Sequence, residues 1–207
     1  MNKFEIARAE LLAVPVAEGR TLLDVGCRDC IFQRYLDDQW SYSGLDLFQN
    51  EQGAVNFVQS VEEGIPVEDR AFTGVVALDV VEHVDKISQV MDELWRVTDK
   101  KLVVALPNMA FAIYRAQFLF SGVMGDKYRI LPYGQDSGDR HRWLTTAKES
   151  IRYMQEFAAA HGPGIKLSWK ATAESPRRKL FMKALGALGF SEQLHAPTLV
   201  FIIERVD

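Results

Sequence analysis

Residues 20–30 read RTLLDVGCRDC, and this stretch decides the fold. Its first part is an apolar run with the character of a buried strand, and Gly26 ends that run. Runs of the same kind follow at 41–47 (SYSGLDL), 54–58 (AVNFV), 73–78 (TGVVAL) and 101–106 (KLVVAL). Because continuous apolar strands separated by helical patterns are typical of parallel sheets covered on both faces, we predict such a sheet.

Helical patterns connect these strands. We predict a short helix over residues 31–38, and a longer one that begins after Asp85, its N-cap, and carries apolar positions at helical spacing as far as Val97. A further helix is predicted from Thr146, because Thr146 and Glu149 have the spacing of a capping box.

The end of the chain has a different pattern. Ser175-Pro176 is typical of a helix start, and Gly189 is typical of a helix end. Residues 190–195 and 198–205 are then predicted to be two strands of a hairpin, joined across Ala196-Pro197. The predicted fold class is α/β, with a doubly wound, mostly parallel sheet that ends in this antiparallel hairpin.

The composition is that of an ordinary globular domain. The chain has 207 residues, 48% of them hydrophobic and 25% charged, so one domain over residues 1–207 is expected. Its formal charge of −4 argues against nucleic acid as the main partner. Glu5 and Glu10 disfavour a signal peptide, and no charge-free apolar run reaches the roughly 18 residues of a membrane span. With two cysteines and no disulfide framework, we expect a cytoplasmic protein without a membrane span.

One connection is unusually long. About 39 residues, 107–145, separate the fifth strand from the helix predicted at Thr146. Connections of this length in compact domains are often lids or binding loops, and the many aromatic and basic residues here disfavour disorder. We call residues 107–145 the insert, and we expect it to act as a lid or as a substrate-binding segment.

Two residues near the start of the sheet suggest a nucleoside site. Gly26 follows the first strand, and Asp46 ends the second strand about 20 residues later. Ligands of open parallel sheets bind beyond the carboxyl ends of the strands, where a glycine permits close approach and a carboxylate accepts both ribose hydroxyls. A tight turn and a strand-end cap would explain either residue alone, whereas their spacing favours nucleoside binding.

These stretches resemble the class I S-adenosylmethionine-dependent methyltransferases. LLDVGC (22–27) is similar to the first motif of that family, GLDL (44–47) to its acidic second-strand motif, and AFTGVVALDVVEHV (71–84) to its fourth-strand motif. The segment 106–124 (LPNMAFAIYRAQFLFSGVM) further resembles the MetW-like branch and related type 11 methyltransferases. The resemblance implies a Rossmann-like methyltransferase fold, S-adenosylmethionine as cofactor, and methyl transfer to a small molecule or metabolite-like acceptor.

The resemblance also implies residues that bind the cofactor. Asp46 would hold the ribose hydroxyls, Leu47 would pack on the adenine, and a backbone amide of Val61 or Glu62 would bond the adenine ring. Residues at the end of the first strand would lie along the methionine part, and residues at the end of the fourth strand would face the sulfonium. The whole set is Asp24, Gly26, Cys27, Asp46, Leu47, Val61, Glu62, Leu78 and Asp79.

The chain departs from the family pattern at two places. Arg28 and Cys30 stand where the second and third glycines of the first turn are usual, and Ser60-Val61 stands where Gly-Asp is common. A side chain at position 28 is expected to point to solvent if its backbone keeps a negative φ. These departures motivate an alternative, a non-catalytic member of the fold that acts as a binding or partner subunit.

The acceptor site is expected in the insert. Arginine forks bind carboxylates and other anions bidentately, so the basic cluster near residue 140 is a candidate clamp. If a base is used, His141 is the first candidate and His83 the second. The predicted acceptor-binding residues are Tyr114, Arg115, Tyr133, Arg140, Arg142 and Trp143.

Other interpretations remain open at this point. Cys27 and Cys30 form a C-x-x-C pair, so a dithiol oxidoreductase is a third possible function. The four histidines have no metal-ligand spacing, so no metal is predicted. The aromatic insert is as compatible with an interface of a homo-oligomer as with a lid.

Overall fold

The computed structural model describes residues 1–15, 19–124, 127–128, 130–135, 140–173, 180, 183–184 and 186–206. Its α-helices are α1 (Lys3–Leu12), α2 (Ile87–Val97), α3 (Ala112–Ser121), α4 (Ala147–Ala160) and the short α5 (Glu192–His195). Turns of 3₁₀ helix lie at Ile31–Tyr35, Val61–Glu63 and Val81–His83. No helix in these ranges combines the length and the apolar character needed to cross a bilayer.

The strands form one sheet. They are β1 (Arg20–Val25), β2 (Trp40–Asp46), β3 (Phe57–Val58), β4 (Phe72–Leu78), β5 (Thr98–Pro107), β6 (Ile165–Ala171) and β7 (Thr198–Arg205). Their order across the sheet is β3-β2-β1-β4-β5-β7-β6. Strands β1 to β5 pair in parallel, and β7 pairs antiparallel with both β5 and β6. The predicted fold class is confirmed.

Helices cover both faces of the sheet. Leu22 and Leu23 are adjacent in β1 and completely buried, but they belong to the cores on opposite faces. One core contains α2 and α4, and the other contains Ile6, Ala7 and Leu11 of α1. Burial on both faces explains why the central strands are apolar at consecutive positions rather than at alternate ones.

Helix α1 was not predicted from the sequence, yet it helps to build the edge where the parallel strands end. Its N-cap, Asn2, forms a capping box with Glu5. The helix lies close to β4 because Gly74 has no side chain: a Cβ there would stand 2.5 Å from Cδ2 of Leu11. This packing brings Lys3 into an ion pair with Asp79, which directly follows β4.

Two helix boundaries differ from the prediction. The N-cap of α2 is Lys86 rather than Asp85, and the amides of both residues donate to Oε1 of Glu62, at 2.9 and 3.0 Å. A carboxylate from another part of the chain therefore caps α2. The helix predicted over residues 31–38 is a 3₁₀ turn over residues 31–35 only.

The start of α4 and the third strand were both predicted from the sequence. The side chain of Thr146 accepts a hydrogen bond from the amide of Glu149, so the predicted start of α4 is confirmed. The predicted strand 54–58 is observed as β3 over its last two residues.

The hairpin predicted at the end of the chain is wrong in one of its strands. Residues 192–195 form α5, and the outer neighbour of β7 is instead β6, which pairs antiparallel with β7 along the whole length of β6. The side chains of β6 alternate between half-buried and exposed, as expected of an edge strand. The predicted helix start at Ser175-Pro176 lies outside the described residues.

Candidate active site

The turn after β1 has the backbone conformation of a glycine-rich loop. Its φ angles are +69° at Gly26, +49° at Arg28 and +53° at Cys30. A Cβ on Gly26 would lie 2.4 Å from Cγ2 of Val80, so that position requires glycine. The Arg28 side chain is expected from the sequence to point to solvent if its φ is negative. The φ is positive, so this condition is wrong, but the side chain is exposed as expected. Arg28 and Cys30 keep the left-handed conformation at a steric cost.

The carboxylate of Asp46 is bonded to this turn. One oxygen accepts from the amide of Arg28 at 2.8 Å, and the other accepts from the amide of Phe48 at 3.3 Å. Because each carboxylate oxygen has a second lone pair, both can still accept a ribose hydroxyl. Next to it, Leu47 is 58% exposed and Phe48 is 76% exposed. An acceptor pair beside exposed apolar side chains fits the ribose and adenine of S-adenosylmethionine.

Asp24 lies behind the turn rather than on the surface. It is buried, and it accepts a hydrogen bond of 2.8 Å from the hydroxyl of Tyr42. Burial raises the pKa of Asp24 to about 7, the hydroxyl of Tyr42 lowers it, and the negative charge of Asp46 raises it further. Asp24 is therefore close to its titration point at neutral pH.

The two cysteines are buried and reduced, with their sulfur atoms 3.7 Å apart. Burial, followed by the hydrogen bond with Cys30, raises the pKa of Cys27 well above the ordinary value of a thiol. A redox-active dithiol needs the opposite, a thiolate stabilised near neutral pH. This environment disfavours the oxidoreductase alternative.

The two amides proposed to bond adenine have different surroundings. The amide of Glu62 already donates to Oγ of Ser60 at 3.2 Å, and its carboxylate caps α2. The assignment of Glu62 to the adenine stays a prediction, and it requires the Glu62 amide to exchange its bond with Ser60 for one with the ring. Val61 is buried at the start of the same 3₁₀ turn, and its amide stays a prediction.

The end of β4 carries charged groups in an unusual backbone. Leu78 is half-buried, and Asp79 has a φ of +62° while its carboxylate pairs with Lys3. Three residues later, Glu82 is completely buried. Burial, followed by the negative charge of Asp79, raises the pKa of Glu82 to about 8.

Residues 140–143 of the insert are hydrogen-bonded onto this end of β4. The amides of Arg142 and Trp143 donate to the carbonyl oxygen of Glu82, at 2.8 and 3.3 Å. The indole Nε1 of Trp143 donates to the carbonyl of Val84 at 2.7 Å. The structure therefore brings Arg140 and Trp143 to the candidate site, whereas the guanidinium of Arg142 turns to Asp85, 3.2 Å away.

The same contacts bring the two candidate bases together. The rings of His83 and His141 are 4.6 Å apart and nearly perpendicular. Burial and the charge of His83 lower the pKa of His141 to about 4, and burial also lowers the pKa of His83. Both imidazoles are therefore neutral at pH 7. The fold also places a carboxylate oxygen of Glu82 and one ring nitrogen of each histidine within 4.8 Å of one another, a metal-binding arrangement that sequence spacing did not reveal.

The other predicted acceptor residues lie in different surroundings. Tyr114 packs edge-on against Phe111, the guanidinium of Arg115 donates to the carbonyl of Ala110, and Tyr133 is fully exposed. Helix α3 has no buried residue, so it is not packed into the core of the domain.

Comparison with known proteins identifies the family and supports the fold. Residues 4–157 match the family described as methyltransferase domain. Among solved structures, an S-adenosylmethionine-dependent methyltransferase from Archaeoglobus fulgidus is 18% identical with a TM-score of 0.56, over 98% of this chain and 94% of the other. One from Mesorhizobium loti is 11% identical with a TM-score of 0.57, over 98% and 100%. No curated protein matches the chain.

A larger enzyme shares the same fold. The small RNA methyltransferase HEN1 is 13% identical with a TM-score of 0.64, over the whole of this chain but only 25% of its own length. At these identities the solved structures establish the fold, and the family match covers most of the chain. The MetW-like branch stays a prediction. The chain belongs to the methyltransferase-domain family and is an S-adenosylmethionine-dependent methyltransferase.

Proposed function

We propose that this chain methylates a small-molecule or metabolite-like acceptor that binds between the end of β4 and residues 140–143. The observation that carries the proposal is the set of hydrogen bonds that joins Arg142 and Trp143 to Glu82 and Val84. These bonds hold part of the long insert against the carboxyl end of β4. Ligands of open parallel sheets bind at that edge.

The residues of the cofactor side position the methyl group. Asp46 accepts the ribose hydroxyls, Leu47 packs on the adenine, and the turn at Gly26 lets the methionine part approach the backbone. S-Adenosylmethionine supplies a methyl group on a positively charged sulfur. The acceptor atom forms a bond to the methyl carbon as the carbon–sulfur bond breaks, and the electron pair of that bond stays on sulfur. The protein contributes alignment of these atoms and exclusion of water.

The acceptor gives up a proton in this reaction if it reacts through a hydroxyl or an ammonium group. His141 is the first candidate to receive that proton, and His83 is the second. Both imidazoles are neutral at pH 7 and lie at the end of β4, and a neutral imidazole can accept a proton on one ring nitrogen. Trp143 and Arg140 would flank the acceptor, the arginine favouring a polar or negative group.

Transfer of a labelled methyl group tests the acceptor class. The purified chain is incubated with methyl-labelled S-adenosylmethionine and, separately, with the low-molecular-weight, RNA and protein fractions of a cell extract. We expect label in the low-molecular-weight fraction, and less of it with Trp143→Ala. Label confined to RNA or protein would contradict the small-molecule acceptor. The matched control is Trp169→Ala, which truncates a half-buried tryptophan of β6 that packs against Phe201.

A further inference from the structure

We propose that Glu82, His83 and His141 bind a divalent cation of the first transition series. A ligand atom from each of the three residues lies within 4.8 Å of the other two. Two imidazoles and one carboxylate form a donor set that suits Zn²⁺, Mn²⁺, Fe²⁺ or Co²⁺ better than Ca²⁺, which prefers oxygen ligands alone. The three residues lie where the 3₁₀ turn after β4 meets residues 140–143 of the insert.

The hydrogen bonds of His141 determine which ring nitrogen carries its lone pair. The hydroxyl of Tyr128 donates its single proton to the carbonyl oxygen of Trp143, at 2.6 Å. The Tyr128 oxygen is also 2.9 Å from Nδ1 of His141, so in that contact it accepts and Nδ1 donates. In the neutral imidazole, Nε2 of His141 therefore has the lone pair.

His83 has the same arrangement of its ring. Its Nδ1 lies 3.0 Å from the carbonyl oxygen of Arg140, and a carbonyl can only accept. In the neutral ring, the nitrogen with the lone pair is therefore Nε2. Metal-binding histidines usually donate their other N–H to a carbonyl or another acceptor, because that bond fixes the tautomer and the orientation of the ring. Both histidines are thus held in the form that binds a metal.

The carboxylate of Glu82 is the third ligand. Its side chain is completely buried, and neither oxygen has a hydrogen-bond partner among the described residues. Nε2 of His141 is 3.9 Å from Oε1 of Glu82, too far for a hydrogen bond. An imidazole lone pair and a carboxyl oxygen thus face each other across a gap, and a buried polar group without a partner is unfavourable. A shared cation satisfies both groups.

Nearby positive charges disfavour cations that bind by charge alone. Lys3 pairs with Asp79, and Lys127 lies close enough to Glu82 to affect its ionisation. These ammonium groups compete with a cation bound by charge alone. They compete less with a metal that forms strong bonds to imidazole nitrogen, which again favours the first transition series.

A cation here would also affect the methyl transfer. It would lie beside the expected methyl group, where it could bind an acceptor oxygen and favour its ionisation. That consequence rests on the proposed function, and it makes His141 a ligand instead of a base. Binding of the cation itself does not depend on the proposed function.

Titration of the purified, chelator-treated protein with Co²⁺ tests the site, because the visible absorption of Co²⁺ reports its ligands. We expect one equivalent to bind, with an absorption change that is lost or at least tenfold weaker in affinity in Glu82→Gln and His141→Ala. Mn²⁺ and Zn²⁺, followed by calorimetry, should show the same dependence on these residues. The matched control is His161→Ala, because His161 is the C-cap residue of α4 and lies 3.4 Å from a carboxylate oxygen of Asp92, outside this cluster.

A third variant, Tyr128→Phe, still tests the site if Glu82→Gln does not fold. Tyr128→Phe removes the hydroxyl that orients His141, together with its bond to the carbonyl of Trp143. Partners that orient a metal-binding histidine typically contribute ten- to a hundredfold in affinity. No Co²⁺ binding by the unaltered chain, or binding that none of the three variants weakens, would overturn the proposal. Calorimetry with S-adenosylmethionine on the same samples separates the two questions: Co²⁺ binding without S-adenosylmethionine binding would refute the proposed function and leave the metal site standing.

Discussion

The carboxylate of Asp46 accepts hydrogen bonds from two backbone amides, whereas the carboxylate of Glu82 has no hydrogen-bond partner in the part of the chain that the structure describes. We call the surroundings of the first, residues 24–30 and 46–48, the cofactor edge. Those of the second, residues 79–84 and 140–143, are the acceptor edge. At the cofactor edge both carboxylates already accept hydrogen bonds before a ligand arrives, Asp46 from two backbone amides and Asp24 from the hydroxyl of Tyr42. The acceptor edge holds buried polar atoms that need a proton, a metal or a substrate.

The largest expected effect concerns the ionisation of Asp24 at the cofactor edge. Its pKa is about 7 in the folded protein and near 3.8, the ordinary value of an exposed aspartate, in the unfolded chain. Between these values the folded state holds the proton more tightly, so the free energy of unfolding falls as the pH rises from about 4 to 7. We expect a loss on the order of a few kcal/mol across this interval, and Asp24→Asn should remove it.

Urea unfolding at several pH values between 4 and 8 measures this effect. The exposed Asp38 provides the control, as Asp38→Asn should keep the pH dependence of the unaltered protein. Equal pH dependence in Asp24→Asn and the unaltered chain would show that Asp24 is not buried as the structure has it.

The next effect is on cofactor affinity. Asp46→Ala removes the two acceptors proposed for the ribose hydroxyls, and we expect S-adenosylmethionine to bind more weakly by about 1–3 kcal/mol. Asp46→Asn keeps one acceptor oxygen, so its affinity for S-adenosylmethionine should lie between those of the unaltered chain and of Asp46→Ala. Calorimetry with S-adenosylhomocysteine and S-adenosylmethionine gives the affinities, and Asp38→Ala is the control. Unchanged affinity in Asp46→Ala would place the cofactor elsewhere.

A smaller effect is expected at Arg28, where the cofactor edge is strained. Its φ of +49° favours glycine, so Arg28→Gly should stabilise the protein by about 1 kcal/mol or slightly less. The bond to Asp46 comes from the backbone amide, so affinity for S-adenosylmethionine should stay the same or improve. Arg34→Gly, in the neighbouring 3₁₀ turn, should destabilise instead. A clear loss of affinity in Arg28→Gly would mean that the guanidinium contacts the cofactor.

The two edges also differ in how much of them the sequence could predict. The apolar runs located β1, β2, β4, β5 and β7, and the interval from Gly26 to Asp46 located the cofactor edge, because both patterns are local. Strand β6, with the sequence IKLSWKA, was missed because it is an edge strand that pairs only with β7 and is not continuously apolar. Residues 190–195, FSEQLH, were mistaken for the hairpin partner of β7. The positive φ of Arg28 was missed because the turn, not the residue type, imposes it.

The acceptor edge depends on contacts between distant parts of the chain. His83 and His141 meet because residues 140–143 bond to the backbone of Glu82 and Val84. No spacing rule along the sequence expresses such a contact, so both histidines were named as bases but their arrangement with Glu82 was not expected. The ion pair between Lys3 and Asp79 was not predicted for the same reason, since it forms only because α1 packs against β4.

The smallest expected effect is a change in hydrogen exchange of the insert. The amides of Arg142 and Trp143 are already bonded to Glu82, so they should exchange slowly in the free protein and change little. Residues 112–124 have no buried side chain in α3, and Phe118 to Phe120 are largely exposed, so their amides should exchange fast without ligand. If the insert closes over the acceptor, S-adenosylmethionine together with an acceptor should slow exchange in residues 112–124 by severalfold, and S-adenosylmethionine alone should slow it less. Exchange that is slow from the start and unaffected by either ligand would identify α3 as scaffold, and the acceptor would then depend on residues 140–143 alone.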